Sequence, residues 1–298
     1  MLTLPDFIVV VYCLIDDLIP QVTAGQRLRR RGFPPGLAAS EVITMLVVGE
    51  FLGIHTDEQI WEYFGRHWRP WFPKLAHRTT FTRQAAHLWR VTQLLHEALV
   101  RCLVPVDEDV FVVDGVPMPV CKLGRKSRCR AFRGAVATSY CAAKKEFYFG
   151  FKGHVAMTME GVIVRLTVTA ANTDEREAVW DLVEVLRGWL LGDKGYLSVF
   201  FKEELRRVGI DLQTQVRSNM PETRSADYLA VMIRVRRLIE TVIGQLTERF
   251  HLAVVRARDT WHLTARIARK LLAHTLAVFL NRRLGAEPLQ FDKLLAAA

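Results

Sequence analysis

The chain has 298 residues, half of them hydrophobic, which excludes a disordered protein and allows one large domain or two of ordinary size. Lys and Arg outnumber Asp and Glu by 41 to 31. The resulting net charge of +10 indicates a polyanionic partner, either nucleic acid or a membrane surface. The apolar stretch FIVVVYCLI is too short to span a membrane and lacks the basic flank of a secretion signal. We therefore expect nucleic acid as the partner, no membrane contact and a cytoplasmic location.

Residues 1–103 are predicted to form a helical region. Apolar periodicity indicates helices over residues 7–18, 40–53 and 79–103, and a further helix that begins at Thr56 or Asp57. Arg78, Arg83 and Arg90 lie on or beside these helices. A helical module with arginines between its helices suits DNA binding, for example through a helix-turn-helix. A helical subdomain with solvated arginines would have the same pattern, so both interpretations stay open.

Two apolar runs after residue 104 each end in an acidic residue. VFVVDGVPMPV predicts a strand that presents Asp114, and we expect Pro117 and Pro119 to end its regular pairing. LLGDKGY predicts a second buried strand, with Asp193 directly after it. An unpaired buried carboxylate costs several kcal/mol, so such acids are exposed, hydrogen-bonded or bound to a metal.

The remaining elements complete a mixed α/β order. EFYFGFKGHVAMTM and GVIVRLTVTAA predict paired strands; residues 172–188 predict a helix capped by Thr173 or Asp174; residues 197–208 predict a helix, and IDLQTQV a short strand. A final amphipathic helix over residues 261–284 belongs to a C-terminal extension, residues 251–298, that is expected to pack on the core. By fold-level analogy, this order is that of a ribonuclease H-like nucleotidyltransferase core with a mixed sheet.

A third acid, Glu240, lies in the helical segment RVRRLIETVIGQLTERF. The apolar residues Val235, Ile239 and Val242 mark its buried face, and Glu240 falls beside that stripe. Two acids from strands and one from a helix could converge on divalent cations. Carboxylate oxygens hold Mg²⁺ and leave positions for water and phosphate, as a phosphodiester reaction requires.

Basic side chains near these acids are the candidates for DNA contacts. Between Lys122 and Lys152 the charged residues are basic except for Glu146. The candidate DNA-binding residues are Arg125, Lys126, Arg128, Lys144, Lys145, Lys152, Lys194, Arg236 and Arg237. The last four are candidates to neutralise a phosphate near the metals. An ordinary surface charge is an equally good interpretation of each.

The sequence resembles the insertion-sequence DDE transposases, and within them the insertion sequence 982 group. The segments that carry the resemblance are SEVITMLVVGEFLG, HWRPWFPKL, HRTTFTRQAAHLW, VVDGVPMPVCK, FYFGFKGHV, LLGDKGY and RRLIETVIGQLTERF. The resemblance implies that Asp114, Asp193 and Glu240 are the catalytic, metal-binding triad, and that residues 104–250 form the DDE catalytic core. Arg236 also matches a signature of neighbouring transposases, whereas Ile233 and Thr247 replace its tyrosine and lysine.

The same resemblance implies an activity, a cofactor and partners. The enzyme would be a DNA transposase that binds a pair of Mg²⁺ ions, with Mn²⁺ able to substitute. It would cut double-stranded DNA at the transposon ends and transfer the freed 3′ strand into target DNA, as a homodimer in a synaptic complex. Two alternatives remain: a catalytically inactive, transposase-derived DNA-binding protein, and a nuclease with the same core that does not join strands.

Overall fold

The computed structural model describes residues 1–26, 28, 34–142, 144–215, 221 and 223–296. Contacts divide the chain into two compact units. The helical unit consists of residues 1–103, 246–252 and 256–298, and the sheet unit consists of residues 104–245 and 253–255. Within the part of the chain that is described, no helix is both long and apolar enough to cross a membrane.

Helices and strands follow largely the predicted order. The α-helices are α1 (Leu4–Val22), α2 (Ala39–Phe51), α3 (Asp57–His67), α4 (Arg78–His87), α5 (Trp89–Leu103), α6 (Glu175–Val179), α7 (Val199–Arg207), α8 (Ala226–Gly244) and α9 (Thr260–Arg283). The strands are β1 (Val110–Lys122), β2 (Ala137–Cys141), β3 (Glu146–Thr158), β4 (Ile163–Ala170), β5 (Gly188–Gly192) and β6 (Ile210–Thr214). The prediction of a mixed α/β core with an N-terminal helical region is confirmed. Strand β2 was not predicted.

The helical unit contains α1 to α5 together with α9. The helix predicted over residues 79–103 is divided at Leu88 into α4 and α5. Helix α9 packs against α2, α4 and α5, and thus belongs with the N-terminal helices. The predicted domain boundaries, including an extension that packs on the catalytic core, stay a prediction.

A buried group of charged side chains joins α2, α3 and α9 within the helical unit. Helix α2 is buried on nearly every side, and the Glu50 carboxylate on it is fully buried. Glu50 accepts hydrogen bonds from Arg269 and, at 2.7 Å, from Lys270. Arg269 also forms an ion pair with Asp57 at the start of α3. Because ions are costly to bury singly, these charges are stable there only as a mutually paired set.

The sheet unit is built on a mixed sheet in the order β2-β3-β1-β5-β6, with β4 also paired to β3. Strand β3 runs antiparallel to β1, β2 and β4. Strand β5 runs parallel to both β1 and β6. This is the strand arrangement expected of a ribonuclease H-like core, and it places the C-terminal end of β5 level with Val113, near the start of β1.

The prolines of β1 do not end its pairing, contrary to our expectation. Pro117 stays in register with Lys152 of β3, and Pro119 with Gly150. Strand β5 pairs only with Val110 to Val113 of β1. Beyond that point, β1 has a strand partner on one side among the described residues. Proline has no N–H group to donate. If the nitrogen atoms of Pro117 and Pro119 face the side without a partner strand, no sheet hydrogen bond is lost.

The helix predicted over residues 172–188 is much shorter in the structure. Asp174 caps α6, as expected, by accepting a hydrogen bond from the Arg176 N–H at 2.9 Å. The helix ends at Val179, and a 3₁₀ turn over Val183–Val185 follows. Leu182 and Leu186 are buried in the core of the sheet unit. Burial of the Leu182 and Leu186 side chains thus stabilises this segment more than a longer helix would.

We expect Glu50→Gln to destabilise the protein by about 3 kcal/mol, because the substitution leaves the Arg269 and Lys270 cations short of a buried counter-charge. Urea denaturation followed by circular dichroism measures this change. Glu62→Gln is the matched control, since Glu62 is exposed on α3 and its substitution should change the free energy of unfolding by about 0.5 kcal/mol or less. Equal stability of the two variants would contradict the expectation.

Candidate active site

The parallel pairing of β1 with β5 brings Asp114 and Asp193 side by side. Val113 of β1 is in register with Gly192 of β5, and each acid is the next residue along the chain. Asp114 continues in β1, opposite Val155 of β3. Asp193 instead leaves the sheet and precedes a 3₁₀ turn over Lys194–Tyr196. The two acids therefore lie side by side where the pairing of β1 with β5 ends.

Glu240 reaches the same region from α8. Val235, Ile239 and Val242 form the buried face of this helix, as the periodicity predicted. Glu240 lies on the exposed flank, where its carboxylate accepts a hydrogen bond from Arg236 Nε at 2.9 Å. One pocket is lined by Asp114, Asp193, Arg236 and Glu240, together with apolar residues of β1, β5 and α8. The structure thus brings the three predicted acids around a single pocket, which we call the acidic pocket.

Asp114 is held in an environment that disfavours its charge. The pKa of its carboxyl is raised to about 6, chiefly by burial and also by the nearby Asp193 and Glu175 carboxylates. The backbone N–H of Gly115, 2.7 Å from Asp114 Oδ1, acts in the opposite direction. Arg236 also lowers this pKa, and its own pKa is raised chiefly by the hydrogen bond to Glu240. A positive charge at the pocket would therefore stabilise the charged form of Asp114 against repulsion by Asp193 and Glu175.

The donor chemistry of the pocket fits a hard divalent cation, since its ionisable ligands are carboxylates. As they stand, however, the described residues include no group of three or more His, Cys, Asp or Glu side chains arranged to hold a metal ion. Glu240 is engaged by Arg236, at 2.9 Å. A site with three carboxylate ligands therefore requires rotation of side chains already at the pocket.

Sequence reasoning missed two residues beside the pocket, Glu175 and Tyr196. Glu175 is the first residue of α6 and forms an ion pair with Lys152, with 3.3 Å between Oε1 and Nζ. Tyr196 is fully buried, and its hydroxyl has no hydrogen-bond partner among the described residues. An acid at the start of a helix normally signals favourable interaction with the helix dipole, so the position of Glu175 in the sequence gave no distinct signal.

The predicted basic residues fall into two groups. Arg236 lines the acidic pocket, Lys152 pairs with Glu175, and Lys194 directly follows Asp193. Arg237 is exposed on α8. The second group consists of Arg125, Lys126 and Arg128 on a 3₁₀ turn, and Lys144 and Lys145 in the β2–β3 connection. The five residues of this second group do not line the acidic pocket, so any contact that they make with DNA lies outside it.

Residues 106–260 match a family model described as the transposase DDE domain. This stretch is more than half of the chain and includes Asp114, Asp193 and Glu240. The chain therefore belongs to the DDE transposase family. The resemblance seen in the sequence is confirmed at this level, whereas the insertion sequence 982 group is not.

Comparison with other proteins adds little to this assignment. No curated protein matches the sequence significantly. Among solved structures, the chain is similar to the piggyBac transposase in a cryo-EM structure of its synaptic complex with hairpin DNA. The TM-score is 0.48 at 9% sequence identity, over 95% of this chain and 76% of that one. A likeness at this level supports no conclusion about the site.

We expect Asp114→Asn to stabilise the metal-free protein near neutral pH by about 1 kcal/mol or more. The folded-state pKa of Asp114 is about 6 against an ordinary value of 3.8, so the carboxylate destabilises the fold increasingly as pH rises through this range, and fully above about pH 6. Urea denaturation in the presence of a chelator measures the effect. Asp107→Asn is the control, because Asp107 is exposed in the same unit. A loss of stability in Asp114→Asn would show that the carboxylate is not disfavoured.

Proposed function

We propose that the protein is an active DNA transposase that cleaves DNA at transposon ends and transfers the freed strand into target DNA, dependent on divalent metal ions. The observation that carries this proposal is the convergence of Asp114, Asp193 and Glu240 around the acidic pocket. Membership of the DDE transposase family supports it, because the match includes all three acids.

Asp114 and Asp193 are proposed as the metal ligands on the sheet, and Glu240 as the ligand on α8. Their strands fix the first two relative to one another, since register determines their separation. A bound pair of Mg²⁺ or Mn²⁺ ions would lower the pKa of a water molecule or a 3′ hydroxyl and stabilise the charge that develops on the phosphate. A bound cation would stabilise the charged form of Asp114, which burial and the neighbouring carboxylates otherwise disfavour.

Basic side chains at the pocket are proposed to bind the reacting phosphodiester. Arg236 lies in the pocket lining, and Lys194 follows Asp193 directly. The exposed ion pair of Arg236 with Glu240 is weak in water, so its guanidinium can exchange the carboxylate for a phosphate at small cost. Lys152 and Arg237 are proposed to add positive charge farther from the metals.

A second proposed DNA contact is the hairpin surface, which we define as the turn Leu123–Arg128, Lys144, Lys145, Tyr140 and Phe147. The rings of Tyr140 and Phe147 are 5.0 Å apart, and both residues are more than half exposed. Lys126 Nζ lies 5.4 Å from the ring centroid of Phe149, which ties the basic turn to β3. Exposed aromatic rings among basic side chains suit a nucleic acid, whose phosphates and bases they contact together.

The partners follow from this reaction. Double-stranded DNA is the proposed substrate, as both transposon ends and target. A homodimer is proposed because two ends must be held and joined together. We also propose that the chain belongs to the insertion sequence 982 group and acts in the cytoplasm. The helical region, residues 1–103, is proposed to bind DNA through the arginines at its surface, such as the exposed Arg83 on α4.

Asp193→Asn should reduce cleavage and strand transfer by about a hundredfold or more, because an amide cannot replace an anionic metal ligand. The assay uses labelled DNA that carries the ends of the element, with Mg²⁺ or Mn²⁺. Asp181→Asn, a change at an exposed acid of the same unit, is the control and should remain active.

The other outcomes of this assay separate the alternatives. Binding without any cutting by the wild-type protein would favour an inactive DNA-binding descendant. Cutting without joined products would favour a nuclease. Cutting that survives Asp193→Asn would remove Asp193 from the proposed triad.

For the hairpin surface, we expect Arg125→Ala to weaken DNA binding several-fold at low salt and to reduce the slope of log affinity against log salt by about 0.9. Arg125 is exposed on the basic turn. Arg207→Ala is the matched control, since Arg207 is an exposed arginine on α7 that we assign no DNA contact. Titrations at several salt concentrations by fluorescence anisotropy measure both effects. An identical slope for wild type and Arg125→Ala would exclude a phosphate contact at Arg125.

A further inference from the structure

We propose that Glu175 is a further carboxylate of the acidic pocket and binds the divalent cation together with Asp114 and Asp193. This inference rests on the proposed function, because it assigns a ligand to the same metal site. It adds a residue from α6, an element that contributes no member to the triad.

The position of the Glu175 carboxylate is defined by two glycines beside the strand acids. Gly115 follows Asp114, and a Cβ added there would lie 3.2 Å from Glu175 Oε1. Gly195 follows Asp193 by two residues, and a Cβ there would lie 2.5 Å from Glu175 Oε2. Each oxygen thus occupies space that any other residue at these positions would fill with its side chain. The carboxylate lies between the two chain segments that carry the strand acids.

The local structure holds Glu175 in place but leaves its carboxylate available. The Asp174 cap fixes the start of α6, so the backbone of Glu175 is anchored next to β3. Lys152 Nζ is 3.3 Å from Oε1, and this is the only hydrogen bond of the Glu175 side chain to the described residues. A long bond to a flexible lysine can be exchanged for a metal ion more readily than a short bond to a backbone N–H.

Tyr196 gives an independent indication of a ligand. Its ring packs against Gly192 at the end of β5, where a Cβ would lie 2.9 Å from the ring. The hydroxyl is buried and has no hydrogen-bond partner among the described residues. Burial raises the pKa of this hydroxyl well above its usual value, and the charges of Glu175, Asp114, Asp193 and Asp174 raise it further. A buried hydroxyl without a partner in the protein is normally satisfied by a water molecule, such as one bound to a metal.

The competing explanation is that Glu175 serves only as the partner of Lys152. In that case, substitutions at either residue would change cation binding only through the net charge near the pocket, and Glu175→Asp, which keeps that charge, would bind Mn²⁺ as tightly as wild type. If Glu175 is a metal ligand, the reach of its side chain matters as well as its charge. Removal of the carboxylate weakens cation binding, whereas removal of the Lys152 ammonium frees the carboxylate and takes away a repulsive charge.

The test measures Mn²⁺ binding to the full-length protein without DNA, by isothermal titration calorimetry and by electron paramagnetic resonance of free Mn²⁺. Glu175→Gln should weaken Mn²⁺ affinity by about tenfold or more. Glu177→Gln, an exposed acid two residues farther along α6, is the matched control and should leave the affinity unchanged. Lys152→Met should bind Mn²⁺ at least as tightly as wild type. Equal weakening in Glu175→Gln and Lys152→Met would overturn the inference.

A second variant keeps the test decisive if Glu175→Gln folds poorly. Glu175→Asp retains the charge at the start of α6 but shortens the side chain by one methylene, so it should also bind Mn²⁺ more weakly than wild type. Wild-type affinity in Glu175→Asp would contradict a direct contact with the metal. Circular dichroism without metal verifies that each variant is folded.

Asp114→Asn separates this inference from the proposed function. If Asp114→Asn weakens Mn²⁺ binding and Glu175→Gln does not, Glu175 is not a ligand and the proposed metal site survives. If neither substitution changes the affinity, the proposed metal site fails together with the inference.

Discussion

The parallel register of β1 and β5 is the constraint on which the rest of the sheet unit depends. Because Val113 is paired with Gly192, the next residues, Asp114 and Asp193, lie side by side where the pairing of the two strands ends. Two carboxylates this close repel each other, and burial of Asp114 increases the penalty. The backbone therefore enforces an arrangement that the side chains alone would avoid, which is typical of a site that binds cations.

The surroundings of these two acids reduce the repulsion without removing it. The Gly115 N–H and Arg236 both favour the charged form of Asp114. Lys152 pairs with Glu175 and neutralises that carboxylate in part. Full neutralisation of these carboxylates would weaken metal binding. A carboxylate that is already paired with arginine or with several N–H groups gains little from a cation. The residual negative charge is what a divalent ion can stabilise.

Sequence patterns located Asp114, Asp193 and Glu240 because each belongs to an element whose periodicity is unambiguous. An apolar run followed by an acid identified the strands that present Asp114 and Asp193, although β1 continues to Lys122. The stripe of Val235, Ile239 and Val242 identified the buried face of α8. Sequence alone was less informative where the outcome depends on partners distant in the chain. Pro117 stays paired because β5 is too short to flank it, and Glu50 is buried because Arg269 and Lys270 meet it from α9. Neither pairing has a local signal.

Asp114 and Glu240 of the proposed triad differ in the contacts that hold them. Asp114 is held within β1 by pairing with Val155 of β3, and its carboxylate accepts a hydrogen bond from the Gly115 N–H. Glu240 is exposed and held only by Arg236, through an ion pair of the kind that contributes at most about 1 kcal/mol in water. Rotation of the Glu240 side chain away from Arg236 therefore costs little free energy. The same movement frees the Arg236 guanidinium for a phosphate. The binding of a cation and of DNA would then favour each other, because one rearrangement serves both.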